Sequence, residues 1–339
     1  MMSTVSKNPL LLVRQLHVHY SLPPRWLWEP PGLLKAVDGM HFDLAAGETL
    51  GIVGESGCGK STLARALVGL QPATSGAVLL DGTDVTRLDD VGRRRIYRDI
   101  QLVFQDPLAS LDPRMTVGQS IAEPLLNLCP ELNAPERWKR VLSMLERVRL
   151  RPEHAQRYPH EFSGGQCQRI GIARALVVKP RVLVCDEPVS ALDMSIRAQI
   201  IELLMELQRE MGLAMIFIAH DLAVVRQISH KVIVMYLGRV MEQAPVDDLF
   251  DQPHHPYTKA LISAVPLPDP HIERTRTRII LDGELPSPAE PPSGCLFRTR
   301  CHFAHDRCSR DVPNLRLIKP TRSGVACHYA EEIACAGDL

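Results

Sequence analysis

An excess of charge of one sign and long hydrophobic runs are both missing from this sequence. Lysine plus arginine and aspartate plus glutamate each number 39, so no overall field favours nucleic acid or an acidic membrane surface as a partner. The longest apolar runs, such as residues 213–219, fall far short of the roughly 20 residues that span a bilayer. Residues 1–16 contain only a short apolar run and no small-residue cleavage site, so we do not expect a secretory signal peptide. The expected compartment is the cytosol.

The composition is that of an ordinary globular protein, with 45% hydrophobic and 23% charged residues. Its 339 residues exceed one average domain. From about residue 250 the composition changes, since prolines become frequent between positions 253 and 292. We predict a large domain over residues 1–250 and a separate, loop-rich unit over residues 251–339.

Short apolar strands alternate with helices along the large domain. Strands are predicted at residues 48–53, 181–185, 214–218 and 231–235, with a hairpin at Asp81-Gly82 and a strand ending at Gln105. Residues 106–178 are rich in helix formers, notably 136–148, and indicate a helical insertion. One helix is predicted from apolar residues at the 3.6-residue period: Ile196, Ile200, Leu203, Leu204, Leu207 and Met211. The alternation predicts an α/β fold whose parallel sheet is covered on both faces.

Residues 54–61, with the sequence GESGCGKS, satisfy the spacing of a phosphate-binding loop. They lie between a predicted strand and a predicted helix that stops at Gly69, which is the context this motif requires. Glycines let the backbone wrap a polyphosphate so that N–H groups face its charge. Lys60 would reach the outer phosphates and the Ser61 hydroxyl would hold Mg²⁺. The candidate nucleotide-binding residues are Gly54, Glu55, Ser56, Gly57, Cys58, Gly59, Lys60, Ser61 and Thr62.

Ser163, Gly164, Gly165 and Gln166 open a second predicted helix. Ser163 and Gln166 have the spacing of a capping box, which a well-capped surface helix would explain. Capping does not explain the two glycines. Having no side chains, they expose the backbone at a helix N-terminus, where an anion would bind. Capping and phosphate binding both remain open on these residues alone.

Asp186 and Glu187 follow an apolar strand of the predicted sheet. Adjacent acids after a strand often form a helix-capping turn, but the carboxyl edge of a parallel sheet beside a phosphate loop is where such folds bind ligands. Asp186 would then bind Mg²⁺, and Glu187 would orient or deprotonate the attacking water. His220 follows another strand and could reach the γ-phosphate, although a lone histidine is more often structural.

Taken in order, these residues resemble the ATPase subunits of ABC transporters. Gln105 and residues 190–193 complete the resemblance, which then contains Walker A, Q-loop, signature, Walker B, D-loop and H-loop motifs. The signature carries Phe162 before the serine, where Leu is commoner. The resemblance is closest to the dipeptide and oligopeptide importer ATPases, and among them to F-type subunits. That narrower likeness is carried by residues 103–107 (VFQDP), 158–160 (YPH), 254–258 (HHPYT) and 283–288 (GELPSP).

The resemblance implies a P-loop nucleotide-binding domain that hydrolyses ATP with Mg²⁺ at the cytoplasmic face of the bacterial inner membrane. It implies that Tyr20 stacks on adenine and that Gln105 touches Mg²⁺ or the attacking water. Ser163 to Gln166 would contact the ATP held by a second ATPase subunit. Two transmembrane permease subunits and an extracytoplasmic substrate-binding protein would complete the importer, and no nucleic acid is expected.

Five cysteines crowd the last 45 residues, at positions 295, 301, 308, 327 and 335. The segment holds little apolar sequence, so a metal or crosslink is expected to stabilise it. Structural zinc prefers closer cysteine pairs, whereas four thiolates are compatible with a [4Fe–4S] cluster, and a reducing cytosol disfavours disulfides. The resemblance implies such a cluster on Cys295, Cys301, Cys308 and Cys327, with Zn²⁺ as the alternative and Cys335 left over.

Two other classes compete with the peptide importer. A soluble ABC protein acting on DNA or ribosomes often carries two nucleotide domains or a long coiled-coil insertion, and neither is found here. An ABC exporter usually carries a fused transmembrane segment. Within the importers, relatives with similar ATPases handle nickel, glutathione or antimicrobial peptides, because specificity lies in other subunits.

Overall fold

The computed structural model describes residues 9–24, 32–266, 271, 278–319 and 322–335. Two sheets carry the fold. One is an antiparallel sheet of four strands in the order β2-β1-β4-β5, and the other has eight strands in the order β11-β12-β10-β9-β3-β8-β7-β6. From β9 to β6 the neighbouring strands of the larger sheet are parallel, which confirms the predicted α/β class.

The strands are bounded as follows: β1 Leu11–Leu22, β2 Gly32–Leu44, β3 Thr49–Val53, β4 Ser75–Leu80, β5 Thr83–Asp84, β6 Ile100–Val103, β7 Val182–Asp186, β8 Ala214–Ala219, β9 Lys231–Tyr236, β10 Arg239–Pro245, β11 Arg316–Ile318 and β12 Ser323–Val325. The α-helices are α1 Lys60–Leu67, α2 Asp90–Asp99, α3 Val117–Leu128, α4 Ala134–Arg147, α5 Gly164–Leu176, α6 Met194–Met211, α7 Leu222–Ile228, α8 Val246–Asp251, α9 Pro256–Ser263, α10 Asp306–Arg310 and α11 Ala330–Cys335. Among the described residues, no helix is both long and apolar enough to cross a membrane.

The central strands form because their side chains are apolar on both faces. Every residue of β3, β7 and β8 is buried, as expected of parallel strands covered by helices. The α6 helix covers one face, and its six predicted apolar residues are buried or pack against the core. It begins after the N-cap Asp193 and ends at Gly212, whose φ of 63° is the left-handed conformation that glycine adopts readily.

The segment between β6 and β7 is helical, as its composition predicts. Helices α3, α4 and α5 each begin with a capping box, closed by Gln119, Glu136 and Gln166 respectively. Their apolar side chains join the same core as the parallel strands. The insertion is therefore packed onto the sheet.

Three local predictions can be compared with the structure. The hairpin is confirmed, since Leu80 pairs with Thr83 across Asp81 and Gly82. The helix predicted to stop at Gly69 ends at Leu67, and Gly69 follows in the left-handed conformation. The strand predicted to end at Gln105 ends instead at Val103. Gln105 lies in the following loop and is exposed, so its side chain is available to the site.

The C-terminal segment, which we predict to be a unit distinct from the large domain, is rich in loops and is attached to the main sheet. Its strand β12 pairs with β10, where Glu242 faces Val325, and so extends the main sheet. Cys295, Phe297 and Cys308 are buried in the core that contains the parallel strands. Within the segment, Ile318, Val325 and Ala330 form only a small apolar cluster, so other parts of it are buried against the large domain.

His255 joins this segment to the sheet and gives a pH-dependent contribution to stability. It is 1% exposed, its Nδ1 accepts a hydrogen bond from the Tyr257 N–H at the start of α9, and its own N–H donates to Glu242. Burial lowers the pKa of His255 to about 3. Below its ordinary pKa near 6.5, the unfolded chain takes up a proton that the folded chain cannot.

We therefore expect the free energy of unfolding to fall by about 2 kcal/mol between pH 7 and pH 5 from this residue alone. The variant His255→Asn keeps an N-cap oxygen but does not titrate. Urea unfolding at both pH values should show a shallower pH dependence in the variant. Equal slopes in the two proteins would show that His255 is not held neutral.

Candidate functional site

The phosphate-binding loop connects β3 to α1 and wraps the side chain of Lys60. Its turn depends on Gly57 and Gly59, with φ values of 80° and 104°, a region of backbone conformation that L-residues rarely adopt. Lys60 is 4% exposed, and its Nζ donates to the carbonyls of Gly54 at 2.8 Å and Glu55 at 2.9 Å. The loop thus places one buried cation at its centre, where an anion would bind.

Ser61 and Asp186 supply two oxygen ligands beside the loop. The Ser61 hydroxyl donates to Asp186 Oδ1 at 3.1 Å. Asp186 is 5% exposed, and burial, followed by the charge of Glu187, raises its pKa against the hydrogen bond from Ser61. Hydroxyl and carboxylate oxygens are ligands that Mg²⁺ prefers, so the donor set fits magnesium. A cation here would offset the cost of burying the carboxylate.

Glu187 is the residue on which the other predicted catalytic side chains converge. Its Oε2 accepts a hydrogen bond from Gln105 Nε2 at 3.0 Å and lies 3.8 Å from His220 Nδ1. Its Oε1 lies 3.8 Å from Lys60 Nζ. The backbone of Glu187 is left-handed, with φ of 47°, and its N–H donates to the Ile218 carbonyl of β8. Such strain in a non-glycine residue is held by its surroundings and is commonest at functional sites.

Residues 163–166 form the expected helix start and carry an exposed surface. Ser163 is exposed, its N–H donates to Gln166 Oε1, and the Gln166 N–H donates back to Ser163 Oγ. Among the described residues, no hydrogen bond or ion pair joins this segment to Lys60, Asp186 or Glu187. The structure therefore does not bring it to its own phosphate loop.

The two positions at this helix start differ in whether packing requires a glycine. A Cβ on Gly165 would lie 2.4 Å from Ile196 Cγ2 of α6, whereas a Cβ on Gly164 would meet only Leu192 at 3.8 Å. The sequence interpretation that both glycines bare the backbone for an anion is thus incomplete, because close packing against α6 requires Gly165. Gly164 is exposed and keeps the open backbone.

Tyr20 lies near the end of β1, where it pairs with Leu34 of β2 and is half-buried. Two residues further along β2, the carbonyl oxygen of Ala36 approaches Gly59 so closely that a Cβ there would lie 1.9 Å away. The antiparallel sheet thus brings Tyr20 to the neighbourhood of the phosphate loop. This placement is compatible with an aromatic side chain beside a bound base.

Four cysteines of the C-terminal segment share one region. Cys295 and Cys308 are buried, and the Cys295 N–H donates to the Cys308 carbonyl at 2.8 Å. Burial, followed by the charges of the other three cysteines, raises the pKa of Cys301 to about 12. Burial and the charges of Cys295 and Cys308 raise the pKa of Cys327 to about 11. A cation held by these thiols would offset the repulsion between them as thiolates.

A different group of ligand-type side chains lies outside these sites. His17 Nδ1 and His19 Nε2 approach Asp38 Oδ1 at 3.1 and 3.3 Å, the one group among the described residues with three donors close enough for a single ion. Arg239 donates twice to Asp38 Oδ2. Burial alone would raise the pKa of Asp38, but the effects of Arg239, followed by those of Lys35 and His17, together outweigh burial and lower that pKa. Since a cation already balances this carboxylate, we interpret the group as a crosslink between β1, β2 and β10.

The sequence interpretation missed two residues that contact the phosphate loop from the C-terminal segment. The Tyr257 hydroxyl accepts a hydrogen bond from the Glu55 N–H at 3.0 Å, and Arg300 Nη1 donates to Glu55 Oε2 at 2.7 Å. Tyr257 was noted only within the HHPYT stretch, and no local pattern pointed to Arg300. Both contacts span more than 200 residues, so only the tertiary structure shows them.

Comparison with protein families finds the ABC transporter family over residues 37–190 and the oligopeptide/dipeptide transporter C-terminal region over residues 241–308. The chain is 55% identical over 314 residues to the oligopeptide transport ATP-binding protein OppF of Escherichia coli, covering 92% of this chain and 94% of that protein. It is 50% identical to the di/tripeptide transport ATP-binding protein DppF of Pseudomonas aeruginosa, covering 95% and 98%.

Among solved structures, the chain resembles the dimeric post-hydrolysis state of the ATP-binding cassette MJ0796 bound to ADP and Pi. The TM-score is 0.62 and the identity 30%, and the match covers 70% of this chain and 98% of that one. The likeness to this cassette therefore leaves nearly a third of the present chain unmatched.

Proposed function

Because this chain belongs to the oligopeptide and dipeptide group of ABC transporter ATP-binding proteins, we propose that it hydrolyses ATP, with Mg²⁺, to drive the uptake of short peptides. The observation that carries the chemical part is the convergence on Glu187 of Gln105, His220 and Lys60. Phosphoryl transfer is chiefly a matter of position and charge, and this arrangement supplies both.

Each side chain has a distinct role in this proposal. Lys60 exchanges its loop carbonyls for the outer phosphates of ATP and stabilises the charge that develops during transfer. Glu187 accepts a hydrogen bond from the attacking water and removes its proton. Gln105 donates to that carboxylate and would touch Mg²⁺ or the attacking water, while His220 lies beside the carboxylate and would reach the γ-phosphate. Ser61 and Asp186 would hold Mg²⁺, whose charge would balance that of the phosphates.

The exposed residues 163–166 support a site completed by a second ATPase subunit. Ser163 and Gly164 are exposed, and a Cβ on Gly164 would meet only Leu192, so both residues are accessible to ATP held by a partner. We propose that ATP bound between the two subunits closes them and that hydrolysis lets them separate. Two permease subunits and an extracytoplasmic binding protein would complete the importer, with this chain at the cytoplasmic face of the inner membrane.

A transport assay tests the peptide assignment. A strain lacking this chain should fail to take up labelled di- or tripeptide, and uptake should return with the intact chain but not with Lys60→Ala. Purification of the intact chain should also retain two hydrophobic permease subunits. Normal peptide uptake in the deletion strain would contradict the substrate class, and retention of ribosomes or DNA instead of permeases would favour a soluble ABC protein.

We propose further that Cys295, Cys301, Cys308 and Cys327 hold an iron–sulfur cluster. The charges of Cys295 and Cys308 contribute to the raised pKa values of Cys301 and Cys327, which supports a shared site. Five, six and eighteen residues separate these cysteines in turn along the chain. Structural zinc prefers pairs about two to four residues apart, so we favour a cluster held by four thiolates over zinc.

Anaerobic purification distinguishes the two metals. We expect a brown protein with about four iron and four sulfide ions per chain, and the colour should be lost in Cys301→Ser. The matched control is Cys167→Ser, because Cys167 is a buried thiol in α5 outside the group. A colourless protein with one zinc per chain would contradict the cluster.

A further inference from the structure

Glu55, the second residue of the phosphate loop, is fixed on three sides. Its carbonyl accepts from Lys60 Nζ, its N–H donates to the Tyr257 hydroxyl, and its carboxylate pairs with Arg300. Two of these three contacts come from the C-terminal segment. A region remote in sequence therefore determines the conformation at the start of the loop.

The two anchoring side chains are themselves held rigidly. Tyr257 is fully buried, with its ring 4.9 Å from that of Tyr236 and 5.3 Å from that of Phe297. Arg300 is 9% exposed at the side chain and ends the 3₁₀ turn Arg298–Arg300, directly before Cys301. A buried side chain on a fixed turn can position a loop far better than a mobile surface arginine.

The charge of Glu55 is the reason that this contact matters for nucleotide binding. The carboxylate belongs to a loop whose ligand is a polyanion, and it is 26% exposed, so water screens it only in part. An unpaired Glu55 carboxylate would repel the phosphates and would offset part of the positive charge of Lys60. Paired with the guanidinium of Arg300, it is neutralised and its backbone is held in place.

We propose that Arg300 is a positioning residue of the ATP site: it neutralises Glu55 and holds the first turn of the phosphate loop in its binding conformation. The inference rests on the proposed function, since it assigns a role in ATP binding. The C-terminal segment thereby acts on ATP binding through this ion pair, and the ATP affinity depends on the position of the residue beside Cys301.

The test is a double-mutant cycle on the intact, anaerobically purified chain, with a fluorescent ATP analogue and Mg²⁺ as the probe. Arg300→Gln should raise the Kd by about tenfold, the effect expected from losing the free energy of one charge-assisted hydrogen bond. Glu55→Gln is measured as its own reference, and in that background the further change Arg300→Gln should raise the Kd by no more than about twofold, so that most of the loss disappears when the carboxylate is absent. Arg298→Gln is the control, because Arg298 lies on the same turn but bonds to Ser293.

A purely structural anchor gives a different pattern. It would lower the melting temperature in Arg300→Gln, leave the Kd within twofold of the intact chain, and give the same change in Kd whether or not Glu55 is replaced; that result overturns the proposal. If Arg300→Gln does not fold, Arg300→Lys enters the same cycle, with an expected loss of about threefold that Glu55→Gln again cancels. An intact chain that binds no ATP would instead overturn the proposed function.

Discussion

Replacing Glu187 with Gln is expected to reduce ATP turnover at least about 100-fold while ATP binding is retained, because a general base contributes on this scale. The amide cannot take a proton from water, yet it has the same shape and can still bond to Gln105. Lys60 and the loop backbone, which carry the binding, are not changed. Phosphate release measures turnover, and the Kd of a fluorescent ATP analogue measures binding.

The matched control for this variant is Glu202→Gln. Glu202 is also a carboxylate that accepts a hydrogen bond, but its partner is Arg149 on the surface of the helical insertion. We expect this variant to keep full turnover. Hydrolysis at the intact rate in Glu187→Gln would remove Glu187 from the mechanism and, with it, the role proposed for the group around it.

Replacing Gly59 with Ala is expected to destabilise the folded chain by about 3–5 kcal/mol, which is the range of severe core substitutions. A Cβ at this position would lie 1.9 Å from the Ala36 carbonyl oxygen, and φ is 104°. The obstacle is backbone, so it cannot move aside as a flexible side chain would. The loop would separate from β2, and ATP binding would be lost together with stability.

Gly57→Ala provides the comparison, because it shares the backbone strain without the collision. Its φ is 80°, and a Cβ there would meet nothing within 4 Å. We expect a cost of only about 1–2 kcal/mol, that of a left-handed alanine. Urea unfolding without nucleotide measures both variants. Equal losses would show that conformation, and not the close approach of β2, makes Gly59 necessary.

The phosphate loop and the start of α5 could be predicted from the sequence because the interactions that form them are local. The turns at Gly57 and Gly59 need left-handed backbone, and the capping box closed by Gln166 needs only residues three apart. The apolar runs that became β3, β7 and β8 likewise specify burial on both faces. These features follow from neighbours along the chain.

The sequence predicted which residues surround Glu187 but not how they are arranged. The sequence indicated that Gln105, His220 and Lys60 belong to one site. It gave no sign that Glu187 adopts a left-handed backbone or that its N–H is held by β8. Those facts depend on how two parallel strands end beside each other, which the sheet order decides.

The sequence by itself determined the chemistry of this protein: a phosphate loop, a pair of carboxylates after a strand, and a cysteine-rich end. The tertiary structure alone decided that the C-terminal segment joins the main sheet and that Arg300 meets Glu55. The physical reason is the range of each interaction. Turns, caps and strands are set by residues a few positions apart, whereas an ion pair between residues 55 and 300 exists only because the folded core brings two distant segments to the same place.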